Sequence, residues 1–373
     1  MIEEKWKQIL QNYDLPGICR EITACGGGHI NQTYRIVVDT EMGEKSYILQ
    51  QINIGIFRDP EGLMQNIQDV TEYLRQQICL AGGDPERETL RILRTRDGQL
   101  YQREAEGGCW RVMSYVEGAV CYEQVERPEY LYQSGRGFGR FQRLLADYPA
   151  DRLVETIPDF HHTPKRYERF CQVLQEDKLG RAVEVQQEIR FVRDRAERLQ
   201  GIQRKKETGE LPLRVTHNDT KLSNVMLDDR TGEAVCVIDL DTVMPGLSIF
   251  DYGDAIRFGA NEAAEDEQDL RKVVLSLELV EAYTRGFLEE CGESLTETEI
   301  DCLSEGAWMM TMENGIRFLT DYLEGDVYYR VNREGQNLKR TRTQFALVAE
   351  MERKWDAMCE IVTKCVAESR SKR

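Results

Sequence analysis

His217-Asn218-Asp219-Thr220-Lys221-Leu222-Ser223-Asn224 reads H-x-D-x-x-x-x-N, and the apolar run Val235-Cys236-Val237-Ile238 further on ends at Asp239. Between them, Val225-Met226-Leu227 and that second run flank Asp228-Asp229-Arg230-Thr231-Gly232. Two strand-like runs joined by turn-forming residues predict a hairpin. Such a hairpin folds Asp239 back beside Asn224. A lone H-x-D is common by chance. The full spacing, with a hairpin-shaped gap and a closing Ile-Asp, is not.

This spacing resembles the catalytic loop and the metal-binding Asp of protein-kinase-like folds. Chemistry accounts for the residue types. Transfer of a γ-phosphoryl group needs one carboxylate facing the attacking hydroxyl. It also needs a second carboxylate and an amide oxygen on Mg²⁺, the amide adding no further charge beside the phosphates.

A chain of 373 residues is long enough to bury a substantial core and to form two lobes. The expected division is 1–116, a nucleotide-binding lobe, and 117–373, a catalytic and substrate-binding lobe. The formal net charge of -17 argues against nucleic acid and against an anionic membrane surface as partners. Eleven cysteines are scattered singly and read as reduced thiols rather than a disulfide framework or zinc site. The charged start, Met1-Ile2-Glu3-Glu4-Lys5-Trp6, lacks the apolar core of a signal peptide, so a cytoplasmic location is expected. No repeat or sustained heptad suggests an obligate protein partner.

Along the chain, a short amphipathic helix with Trp6, Ile9 and Leu10 precedes Gly26-Gly27-Gly28-His29-Ile30-Asn31. Those glycines lie between two β-rich segments, as in an ordinary hairpin or in a loop whose N–H groups approach phosphates. The Asp219 motif downstream favours the phosphate loop. Tyr34, Ile36 and Val38 alternate as a strand does, and Tyr47 to Ile52 forms the next strand. Leu63, Ile67, Val70, Leu74 and Ile78 line one face of a helix that Gly82-Gly83-Asp84-Pro85 ends. Leu90–Leu93 and Cys109–Tyr115 complete three strands, a helix and two strands. Val116-Glu117-Gly118 then lies where a hinge would offer backbone groups to an adenine.

Beyond residue 127 the pattern is helical. His161 and His162 lack a third ligand at useful spacing and read as loop or contact residues. The acidic run 262–269 reads as a helix N-terminus and exposed surface. Asn314, Arg317 and Asp321 lie at i, i+3 and i+7. Two readings are open for them: an intrahelical surface Arg–Asp pair, or a polar stripe bordering a pocket, given apolar neighbours on both sides.

These residues together resemble the aminoglycoside phosphotransferase / choline kinase superfamily, over nearly the whole chain. Three stretches are most similar to the N-acetylhexosamine 1-kinase group: Gly27–Tyr34, His217–Val225 and Val237-Ile238-Asp239-Leu240-Asp241-Thr242-Val243-Met244-Pro245-Gly246. The resemblance implies an α+β, protein-kinase-like two-lobed fold, with a small five-stranded antiparallel N-lobe and a mostly helical C-lobe. It also implies transfer from ATP, with Mg²⁺, to the anomeric hydroxyl of N-acetylglucosamine or N-acetylgalactosamine. Carried over residue by residue, Asp219 matches the catalytic base, Asn224 and Asp239 the Mg²⁺ ligands, and Asp251 a bracing residue alongside His217. Gly26, Gly27, Gly28, His29, Asn31, Tyr115 and Glu117 become nucleotide-side candidates, and Asn314, Arg317 and Asp321, with Asp219, acceptor-side candidates. One departure stands out: Gln50 occupies the position of the third-strand lysine. Two rival readings are a kinase of the same fold acting on choline, homoserine or an aminoglycoside, and a pseudokinase.

Overall fold

A computed structural model describes residues 4–25, 31–104 and 107–371. The chain forms two compact units that interleave in sequence. One comprises Met1–Cys121, Asp151–Pro158 and Val225–Met244, the other Tyr122–Ala150, Asp159–Asn224 and Pro245–Arg373.

The N-terminal unit is built on β1 (Ile18–Ala24), β2 (Gln32–Thr40), β3 (Gly43–Ile52), β4 (Ile92–Leu93), β5 (Gln102–Arg103) and β6 (Cys109–Ser114). Their order is β1-β2-β3-β6-β4, antiparallel throughout, and the two-residue β5 also pairs with β6. All five expected strands form, with β5 as an addition. Ile36, Val38, Leu49 and Val112 share one fully buried face with Trp110, and Val37 on the other face is buried as well, so this part of β2 is covered on both sides rather than one. Ile9, Leu10 and Tyr13 cover the Trp110 face, and the Tyr13 hydroxyl donates to the Trp110 carbonyl at 2.8 Å.

The helix Pro60–Leu80 begins with Asp59 accepting from the Gly62 N–H at 3.0 Å and with Pro60 in its first turn. It ends where Gly82 turns into the left-handed region at φ 76°. Its buried Asn66 donates to the carbonyls of Val154 at 2.7 Å and Val243 at 3.1 Å, and accepts from the Val154 N–H at 2.9 Å. A short strand β7 (Ala119–Val120) pairs with Val225–Asp228, Ala119 opposite Asp228. These links tie residues 151–158 and 225–244 to the N-terminal unit, where the sequence suggested a single boundary after residue 116. The difference arises because strand pairing and the Asn66 bonds join segments distant in the chain.

The second unit is mostly helical. Its longer helices are Pro128–Leu144, Thr163–Glu176, Ser248–Gly259, Leu277–Cys291, Leu303–Glu324, Gln336–Arg353 and Trp355–Ser371. Ser248–Gly259 and Leu303–Glu324 pack with backbones almost touching. A Cβ on Gly253 would lie 2.4 Å from the Gly306 carbonyl oxygen, which only glycine tolerates. That close approach seats the first turn of Ser248–Gly259, and so Asp251, in the interior. The acidic run matches its reading only at its end, where Asp269 caps the short helical turn Leu270–Lys272. The rest is a loop in which Glu262 is exposed and three acids are paired: Glu265 with Arg340 at 3.3 Å, Asp266 with Arg333 at 2.6 Å and Glu267 with Lys272 at 3.7 Å.

Candidate active site

The hairpin expected after Asn224 is present. Val225 lies opposite Val237 and Met226 opposite Cys236, with a register shift between Ala234 and Cys236. Asp228 makes the turn by accepting from the N–H groups of Arg230 at 2.9 Å and Thr231 at 2.7 Å. Those bonds and the Arg87 guanidinium hold its carboxyl well below the usual range. Gly232 closes the turn at φ 74°. Asn224 immediately precedes the first strand, and Asp239 follows Val237 by two residues, at φ 60°. A non-glycine residue in that region carries backbone strain of the kind that gathers at functional sites.

In the helical unit, the short strand Arg214–Thr216 delivers His217, which is fully buried and edge-on to Phe138 and Phe141 at 5.2 and 6.0 Å between ring centres. Asp251, also fully buried, accepts from the N–H groups of His217 at 2.9 Å and Asn218 at 2.8 Å, and from the Gln142 amide. Burial pushes the Asp251 carboxyl up, against the pull of His217, the two N–H groups and Gln142. This clamp permits Asn218 to hold φ 63° and turns Asp219 out as a half-buried residue. The geometry supports the bracing role proposed for Asp251, with His217 as packed support. Asp251→Ala strands two buried N–H groups and is expected to lower stability by about 1–3 kcal/mol for each. Urea midpoints measure this, and an unchanged midpoint would remove Asp251 from the clamp.

Asp219 is held from both sides. Lys221 Nζ lies 2.9 and 3.2 Å from its two carboxylate oxygens. The Asn224 amide nitrogen donates to the Asp219 carbonyl at 2.8 Å and to its carboxylate at 3.2 Å. Burial works against the Lys221 charge, but Asp219 and Asp254 outweigh it and hold the ammonium above its ordinary value. Behind this pair, Asp254 accepts from the Thr220 N–H at 3.2 Å and forms a buried ion pair with Arg257 at 2.8 Å. Because the Asn224 nitrogen is committed to Asp219, its oxygen is the end left to a cation. An amide oxygen is a hard, uncharged donor of the kind Mg²⁺ accepts.

Of the nucleotide-side candidates, Gly26, Gly27, Gly28 and His29 lie outside the described residues. Asn31 accepts from the Asn53 N–H at 3.0 Å and donates to Asp241. Tyr115 carries the Arg35 guanidinium over its ring at 4.6 Å, and Glu117 is exposed.

The acceptor-side stripe separates into distinct roles. Arg317 sits among Phe160, Tyr328 and Tyr329, 5.4 to 5.9 Å from each ring centre. Asp321 does not pair with it as the surface reading supposed. Both its oxygens are taken by the N–H groups of Val327, Tyr328 and Tyr329 at 2.8 to 2.9 Å and by the Asn337 amide. Asp321 therefore braces the segment that carries two of the rings around Arg317, which corrects its reading as an acceptor contact. The Asn314 amide donates back to the Met310 carbonyl at 2.9 Å. Next to Asn314, buried Glu313 accepts from Thr163 at 2.6 Å and lies 2.9 Å from His161 Nδ1, so His161 is a contact residue.

A family model described as the phosphotransferase enzyme family matches residues 21–286 of the 373, well over half the chain. The chain belongs to that family. Solved structures of similar fold include an aminoglycoside phosphotransferase from Alicyclobacillus acidocaldarius, with TM-score 0.58 and 13% identity over 100% of this chain and 97% of that one. An ethanolamine kinase from Plasmodium vivax follows, with TM-score 0.55 and 13% identity over 91% and 85%. A choline kinase from Cryptosporidium parvum gives 0.53 and 12% identity over 97% and 97%. These likenesses show the mixed helix-and-sheet, kinase-like fold that was expected. Among the described residues, no helix is long and apolar enough to cross a membrane.

Sequence reasoning passed over four residues of this phosphotransferase. Lys221 was in plain view, two places after Asp219, and its position alone could have marked it. Asp254 stood in the segment after Asp251 without a role. Gln142 and Arg111 carried no signal, since each meets its carboxylate partner, Asp251 and Asp241 respectively, only through the fold.

Proposed function

We propose that this phosphotransferase moves the γ-phosphoryl group of ATP to the anomeric hydroxyl of an N-acetylhexosamine, giving the sugar 1-phosphate. The observation that carries the acceptor class is the surroundings of Arg317. An aromatic box would suit a quaternary ammonium, but here Phe160, Tyr328 and Tyr329 already enclose a guanidinium. A cationic acceptor would meet a like charge. The hydroxyl and carbonyl oxygens of a neutral sugar instead find a donor fork held in place. The acids of residues 265–267 are paired with Arg340, Arg333 and Lys272, so they offer no open cluster for an aminoglycoside.

In this reading Asp219 orients the acceptor hydroxyl and takes its proton as the bond to phosphorus forms. Lys221, drawn to Asp219, keeps that carboxylate oriented and adds positive charge near it. Asn224 and Asp239 would hold Mg²⁺, which when bound neutralises charge on the transferring phosphoryl group. The intact Asp219, Asn224 and Asp239 speak against a pseudokinase.

Two measurements test this. A panel of sugars and alcohols with ATP and Mg²⁺, read by phosphorus NMR, should give an anomeric phosphate from N-acetylhexosamines. Product from choline or an aminoglycoside instead would overturn the assignment. Arg317→Ala should lower kcat/KM for the sugar about ten- to a hundred-fold, the worth of a hydrogen bond from a charged donor, and leave the KM for ATP near that of the parent. A lowered melting temperature with unchanged sugar kinetics would make Arg317 structural.

A further inference from the structure

Gln50 leaves the position of the third-strand lysine without a cation, and the facing helix buries no carboxylate partner. In protein kinases a lysine on that strand pairs with a helix glutamate. The buried residues of Pro60–Leu80 include Leu63, Met64, Asn66, Ile67 and Val70, and none of them is acidic. The positive charge lies one strand over instead. Gln50 on β3 is directly opposite Arg111 on β6 and Thr33 on β2. The Gln50 amide donates to Thr33 Oγ1 at 2.9 Å, and its oxygen accepts from Arg111 Nε at 3.0 Å and Nη2 at 2.7 Å. Arg111 then extends Nη1 to Asp241 Oδ1 at 2.6 Å, with Met64 Sδ alongside at 3.7 Å.

Both side chains of this ion pair are almost wholly out of water, at 3% and 4% exposed. Among the described residues, no other ion pair of the unit is so buried. Arginine stays charged at such a site and is tolerated there only when paired. An apolar pair of similar volume would serve stability as well, so a buried charge retained here calls for a use. Asp241 supplies one. Its second oxygen accepts from Asn31, the first described residue after the glycine run, and the residue itself is two places beyond Asp239. One carboxylate thus joins the exit of the glycine segment, the sheet and the segment that presents Asp239.

We propose that Arg111 is the anchored cation of the nucleotide-binding unit, a positioning residue that acts through Asp241 to hold the Asp239 segment and Asn31 ready for Mg·ATP. Its role replaces that of a third-strand lysine, with the charge moved to the neighbouring strand and Gln50 serving as its acceptor. This inference rests on the phosphoryl-transfer reading above.

The test uses the full chain, with Mg·ATP binding measured by calorimetry without acceptor and kinetics measured with ATP, sugar and Mg²⁺ varied separately. Arg111→Gln is expected to weaken Mg·ATP binding about ten- to a hundred-fold, the worth of a charged hydrogen bond, while the sugar KM stays near the parent value. Arg111→Lys should recover part of the loss, because a lysine reaches one partner but not both Asp241 and Gln50. Combining Gln50→Lys with Arg111→Gln returns the cation to the third strand and should also recover part of the binding. If Arg111→Gln alone does not fold, Arg111→Gln with Asp241→Asn removes both charges together and carries the same measurement. Weaker Mg·ATP binding by a folded variant with a parent-like sugar KM upholds the proposal. Parent-like Mg·ATP binding with only a lower melting temperature, or a shift confined to the sugar KM, overturns it. A parent protein that binds no nucleotide would overturn the phosphoryl-transfer reading, and this inference with it. A parent that binds nucleotide alongside unaffected variants sinks the role of Arg111 alone.

Discussion

Asp219→Asn is expected to lower kcat by about 10²–10⁴-fold, the usual contribution of a general base, while nucleotide binding persists. The substitution keeps the shape of the side chain. Its remaining oxygen can still accept from Lys221 and from Asn224, which lie 2.9 and 3.2 Å from the carboxylate in the parent, so the loop between His217 and Asn224 should stay in place. What disappears is the capacity to take the acceptor proton. Because the clamp from Asp251 to the N–H groups of His217 and Asn218 is untouched, melting temperature should change little. Initial rates from phosphorus NMR or a coupled ADP assay, set beside a calorimetric Kd for Mg·ATP, separate chemistry from binding. Turnover at the parent rate would end the assignment of Asp219 as base.

The second large effect concerns the metal ligands. Asp239→Ala should reduce turnover about 10²–10³-fold or more, on the scale of losing a principal electrostatic stabiliser, and added Mg²⁺ should not restore it. Asn224→Ala should respond differently. It removes a neutral ligand and also the amide that steadies Asp219, so excess Mg²⁺ is expected to recover part of the rate and not all of it. A magnesium titration of both variants makes the comparison. Parent-like activity in Asp239→Ala would sink the two-ligand site, and equal rescue of both variants would assign Asp239 a lesser share of the cation.

The site was legible wherever its logic is local. From Asp219 to Val237 the steps depend on neighbours within a few residues: a turn made by the Asp228 side chain and Gly232, strands of β-branched and apolar residues, and an amide five places after the carboxylate it holds. Spacing encodes such geometry directly. The sheet and the helix Pro60–Leu80 were legible for the same reason, since periods of 2 and 3.6 mark which face meets the core. The stripe at 314–321 shows the limit of that method. Helical periodicity placed Asn314, Arg317 and Asp321 on one face, but the use of Arg317 and Asp321 followed from a loop after the helix, while Asn314 bonds back to its own helix. Asp321 turned inward to cap residues 327–329, and only Arg317 met the aromatic rings.

Read alone, the chain therefore established a kinase-like α+β architecture, the Asp219–Asn224 loop, the hairpin to Asp239 and the lack of a lysine at Gln50. Tertiary structure decided what sequence spacing has no means to express. It supplied Gln142 as a third donor to Asp251 and Glu313 as the partner of His161, pairs separated by 109 and 152 residues. It also set Arg111 against Asp241 and drew residues 151–158 and 225–244 into the N-terminal unit. The reason is physical. A buried charge or amide must find its partner from whatever element packs against it, and that choice depends on which faces the folded chain brings into contact rather than on any interval along the sequence.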